Sequence, residues 1–179
     1  MSVENDSDIK IYGQKKSDIS ADASAPKERD SVVTKEQRNA AKKVGVAVAE
    51  QLLKDASHTQ DDEYSDYNLL MQRRLLLSFS ASVGFEQYIG NDMLIGIAQK
   101  SFLDTVKKSS DEIYKTLSDM GAFSFYYLAF RRGSDVERRM GQTFAMLCLH
   151  DGDPIFQELG EALYCWFTSV VRKAVKENM

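Results

Sequence analysis

The densest chemistry in this chain is the run Cys148-Leu149-His150-Asp151-Gly152-Asp153. A thiolate, an imidazole and carboxylates are all competent metal ligands, and a compact turn can bring them together. Zinc sites, however, bring cysteines in closely spaced pairs with a second pair elsewhere, and the one further cysteine is Cys165. A calcium loop fails too, because Ile155 and Phe156 stand where oxygen ligands are required. Helix-end chemistry accounts for the same residues: a buried cysteine, Gly152 closing one helix, and Asp153 with Pro154 opening the next. The run therefore reads as a helix junction. A metal enzyme using Cys148, His150 and Asp153 is the least favoured reading, and no metal or cofactor is expected.

Other catalytic constellations are missing from the sequence. His58 and His150 belong to no nucleophile-elbow pattern, and no glutamate precedes either by three positions, as a di-metal carboxylate bundle needs. Neither a Walker A loop nor a G-x-G-x-x-G turn occurs. No residue is nominated as catalytic, which points away from an enzyme.

Arginines and aromatic rings carry the remaining signal. In RRGSDVERR, Arg138 and Arg139 stand at the start of a helix, where free backbone N–H groups could help hold an anion. The simpler account has Arg131 and Arg132 complementing the preceding helix dipole while Glu137 pairs locally. A net charge of −4 and acids beside the Gly90-Asn91 turn disfavour a nucleic-acid partner.

Just before these arginines, GAFSFYYLAFRRG (121–133) packs five rings into eight positions. At about 100° per residue, Phe123, Tyr126, Tyr127 and Phe130 share an arc of about 100°, one core-facing stripe. Phe125, Leu128 and Arg132 fall on the opposite side. An aromatic beside arginine is the composition of a protein interface, so Phe125, Leu128, Arg131 and Arg132 form the candidate contact surface. The alternative is a ligand pocket in which Tyr126, Tyr127 and Trp166 orient a small molecule.

These residues need helices to hold them, and the pattern supplies an all-α chain. Residues 1–33 are rich in Ser, Asp and Ala without sustained periodicity, and read as a disordered polar tail. Residues 34–179 read as a single helical domain, an irregular bundle of about six helices. Thr34 and Gln37 have the spacing of a capping box, followed by Ala41, Val44, Val48 and Leu52 on one face, with an acidic connection after Leu53. A second helix, about 63–89, is apolar nearly all round and should be central, with Gly84 as a kink or division. A third carries Leu94, Ala98, Phe102 and Val106 at steps of four. Ser109 and Glu112 cap a fourth that runs into the aromatic stretch, and Ser134 and Glu137 cap a fifth bearing Met140 and Phe144. The last has Phe156, Leu159, Leu163, Trp166, Val170 and Ala174 as its stripe.

The N-terminus lacks a secretory apolar region, the apolar runs are too short to span a bilayer, and two cysteines suit a reducing compartment. A cytoplasmic location away from membranes is expected. The functional expectation is a non-catalytic helical protein-interaction module, associating with itself as a homodimer or docking onto another protein. The alternative is a small-molecule-sensing domain with an aromatic-lined pocket.

Overall fold

The computed structural model describes residues 33–60, 66–117 and 120–179. The expected tail lies outside these apart from its last position, Val33, which is buried in the core. The helices are α1 (Lys35–Gln60), α2 (Tyr67–Tyr88), α3 (Asp92–Ser109), α4 (Asp111–Leu117), α5 (Met120–Arg131), α6 (Val136–Leu147) and α7 (Pro154–Asn178). No strand occurs among the described residues, so the chain is an irregular all-α bundle. The fourth expected helix is present as two segments, α4 and α5, on either side of residues 118–119.

Caps set most of the boundaries. At the start of α1 the Thr34 N–H donates to Gln37 Oε1 at 2.9 Å and the Gln37 N–H to Thr34 Oγ1 at 3.2 Å, a complete capping box. Asn91 caps α3 through two backbone N–H groups, and Asp153 caps α7 by accepting from the Ile155 N–H at 2.9 Å. Two expected boxes do not form. The cap of α4 is Ser110, one residue after Ser109, accepting from the Ile113 N–H at 3.2 Å. At α6 the N-cap position is Asp135 in a left-handed conformation, and Ser134 Oγ instead accepts from Arg139 at 3.0 Å.

Helix α1 continues past Leu53 to Gln60, where a polar connection was expected. Its last turns are held by tertiary contacts. Ala56 is buried, and the Asp55 carboxylate accepts two hydrogen bonds from the Arg73 guanidinium of α2 at 2.6 and 2.8 Å. Ser57, His58 and Thr59 also hydrogen-bond back onto carbonyls of the preceding turn.

Helix α2 is central, as its apolar circumference implies: Leu75, Leu76, Leu77, Phe79, Val83 and Phe85 are all buried. It runs unbroken through Gly84, which marks a crossing and not a kink. A Cβ there would approach the Val171 side chain of α7 to 2.8 Å. Similar crossings recur. A Cβ on Gly45 of α1 would collide with the Ala98 carbonyl of α3, one on Gly141 of α6 with the Gln157 carbonyl of α7, and one on Gly160 of α7 with Phe144. On α7 the buried face is Gly160, Leu163, Tyr164, Phe167, Val171 and Ala174, rotated from the expected stripe. Trp166 lies 40% exposed on the flank.

The α6–α7 turn closes with an arrangement that glycine normally serves. The Leu149 N–H donates to the Met146 carbonyl and the His150 N–H to the Ala145 carbonyl, which places Leu149 at the left-handed position with φ 64°. Gly152, expected as the cap, lies beyond it with φ 80°. A leucine at that φ carries a Cβ clash, and its side chain is 85% exposed, so no packing compensates. Leu149→Gly is therefore expected to raise the unfolding free energy by about 0.5–1 kcal/mol after allowing for glycine's extra chain entropy. Gly141→Ala should lower it by about 1–3 kcal/mol, because the new methyl meets backbone that cannot swing aside. Urea unfolding followed by far-ultraviolet circular dichroism reads both.

Candidate interaction surface on α5

Helix α5 lies against α2 and α6. Ala122, Tyr126 and Ala129 are buried, and Phe79 of α2 gathers the rings around itself. Its centroid lies 5.8 Å from Phe123, 5.6 Å from Tyr126 and 6.3 Å from Phe130, with the outer two pairs edge-on. Three of the four rings in the expected stripe therefore join the core. The fourth, Tyr127, is 52% exposed. The Tyr126 hydroxyl is enclosed without a hydrogen-bond partner among the described residues. Burial, with a smaller contribution from nearby Cys148, pushes its pKa well above the usual phenol value.

The opposite face of α5 opens onto α6. Phe125, Leu128 and Arg132 line a groove of about 370 Å³ together with Arg139 and Met146 of α6. Phe125 is 49% and Leu128 58% exposed, so the apolar floor is wet. Arg139 Nη2 is the atom held by Ser134, while its Nη1 is enclosed and finds no acceptor among the described residues. Among the described residues no carboxylate lines the groove.

The residues expected at an interface thus separate into three that share the groove and one that does not. Arg131 lies over the Tyr127 ring, 5.5 Å from its centroid, away from Phe125. The expected anion pair divides as well: Arg139 lines the groove, whereas Arg138 is exposed and does not line it. Met146 was missed by sequence reasoning. The signal was available, since Arg139, Gln142, Thr143 and Met146 follow helical spacing on the side of α6 away from buried Met140 and Phe144.

The expected ligand set does not converge. Tyr126 is core. Tyr127 borders a cavity between α2 and α5, and Trp166 borders an open hollow on α7 beside Arg172, Lys173 and Lys176. At the α6–α7 junction, Cys148 is buried, and burial together with the Asp66 carboxylate pushes its thiol up to about 12. The His150 ring stacks on Phe156 with centroids 3.7 Å apart, and Asp153 is occupied as a helix cap. Among the described residues no three His, Cys, Asp or Glu groups are placed to hold a metal ion.

No known family model, curated protein or solved structure matches this chain. Among the described residues no helix is long and apolar enough to cross a membrane.

Two outcomes follow from the buried polar atoms. Tyr126→Phe removes a hydroxyl that was desolvated without a partner, and should raise the unfolding free energy by about 1 kcal/mol in urea titration. The Cys148 thiol has a folded pKa raised from 9.0 to about 12, so it contributes stability that is complete below pH 9 and lost as pH rises toward 12. The melting temperature should accordingly be level on the acid side of that window and fall through it, and Cys148→Ala should flatten the decline.

Proposed function

We propose that the chain is a non-catalytic interaction module whose α5–α6 groove receives an acidic amphipathic helix from another protein. The observation that carries this reading is an exposed apolar floor, Phe125, Leu128 and Met146, set between Arg132 and Arg139 with no carboxylate among the described residues that line the groove. A groove between two helices suits a third, whose apolar face would cover the floor while its acids meet the arginines.

Charge argues for a different chain as occupant. A two-fold contact through this groove would place arginines against arginines, which favours a heterologous partner over a second copy. The two cysteines are free, in keeping with a reducing cytoplasm as the place where the module works.

Fluorescence anisotropy of the full chain with a labelled Leu/Glu amphipathic helical peptide tests the reading. A Leu/Lys peptide of the same pattern is the control. Binding of the acidic peptide that falls about tenfold on Phe125→Ala, and again on Arg132→Ala, supports it. Equal binding of the lysine peptide, or none of the acidic one, overturns it. Light scattering that shows a dimer dissociating on Phe125→Asp would replace it with self-association.

A further inference from the structure

We infer that the cavity between α2 and α5 is a binding site for a hydrophobic organic cation, an ammonium group carried on an aryl or branched alkyl body. The cavity lies on the other side of α5 from the docking groove and is independent of it. Its volume is about 390 Å³, within the range that small ligands occupy. Four rings, Phe79, Phe123, Tyr127 and Phe130, supply its walls. Aromatic faces carry negative potential, and a cation desolvated against them is attracted to each face it meets. Arg131 lies over Tyr127, so one face of that ring is already taken by a cation.

The charge at the cavity selects the sign of the ligand. Glu86 borders it, is exposed, and makes no ion pair or hydrogen bond with any described residue. Glu86, Val83 and Phe130 also border an adjoining hollow of about 470 Å³, which adds Glu137. Among the described residues neither space is lined by a lysine or arginine. Two further hollows run the opposite way, with Arg132 and Arg139 in the α5–α6 groove and Arg172, Lys173 and Lys176 beside Trp166. An anion entering between α2 and α5 would lose water and find Glu86 as the one ionised group among the described lining residues, beside the neutral Ser82, Ser124 and Gln99 of α3. A neutral body would fill the rings but leave Glu86 without a counter-charge. A cation satisfies both the rings and the carboxylate.

Chemical-shift titration of the full chain with three probes tests the assignment: benzyltrimethylammonium, its uncharged carbon isostere neopentylbenzene, and phenylacetate. The cation should bind about tenfold more tightly than either, with shifts centred on Val83, Phe123 and Tyr127. Glu86→Gln, a change at an exposed position, should weaken the cation about fivefold to tenfold and leave neopentylbenzene unchanged. Phe125→Ala, on the other face of α5, should leave cation binding as it was, which separates this site from the groove. Affinity for the cation no greater than for phenylacetate overturns the assignment, as does a Glu86→Gln chain that binds the cation as tightly as the unaltered protein.

Discussion

The close crossing of helices at glycine is the constraint on which the rest of this bundle depends. Gly45 lets α1 settle against the backbone of α3, Gly141 and Gly160 bring α6 and α7 together, and Gly84 seats α7 on α2. At each of these positions the space a side chain would occupy is taken by the neighbouring helix. Helix glycines carry a conformational cost of about 1 kcal/mol each, so they are tolerated where close approach returns more in packing. The crossings α1–α3, α2–α7 and α6–α7 are thereby fixed.

Helix α5 attaches differently. It meets α2 through rings, Phe123, Tyr126 and Phe130 around Phe79, and rings hold two backbones further apart than glycines do. A helix held off by large side chains leaves hollows on its flanks. One hollow opens toward α2 and the other toward α6, and both contain apolar surface that no described element covers. The two differ in sign, carboxylate on the α2 side and guanidinium on the α6 side. The same packing choice thus produces both concave surfaces, and the charged residues at their edges distinguish them.

How far this could be read from sequence follows from the range of the interactions involved. The stripes Ala41-Val44-Val48-Leu52 and Leu94-Ala98-Phe102-Val106 are buried as their periodicity requires, and Thr34, Gln37 and Asp153 cap as their types require. These are local, within one or two turns. The placement of Phe125, Leu128 and Arg132 on one exposed face follows from helical angle alone. The length of α1 did not, because its final turns depend on Arg73 from another helix reaching Asp55. On α7 the expected stripe ran through Trp166, while burial went to Tyr164 and Phe167. The α2–α5 cavity needs side chains from separate helices, and no single-segment pattern contains it.

The cost structure of the groove bears on how strongly it can act. Arg139 holds one guanidinium nitrogen to Ser134 and encloses the other without an acceptor. Removing a charged donor from water is ordinarily part of the cost of association, and it often cancels the gain from an interfacial ion pair. Here that desolvation has been incurred during folding, at the expense of the free protein. Under the proposed reading, a carboxylate would use this nitrogen only after the guanidinium turns it outward, forming a charge-assisted hydrogen bond to a donor that has no acceptor among the described residues. Arg132, exposed at the other edge, remains hydrated, and on that reading would contribute chiefly to steering and orientation. Under the proposed reading the two arginines would act differently: Arg139, half-buried and held by Ser134, would resist dissociation, while the exposed Arg132 would speed encounter.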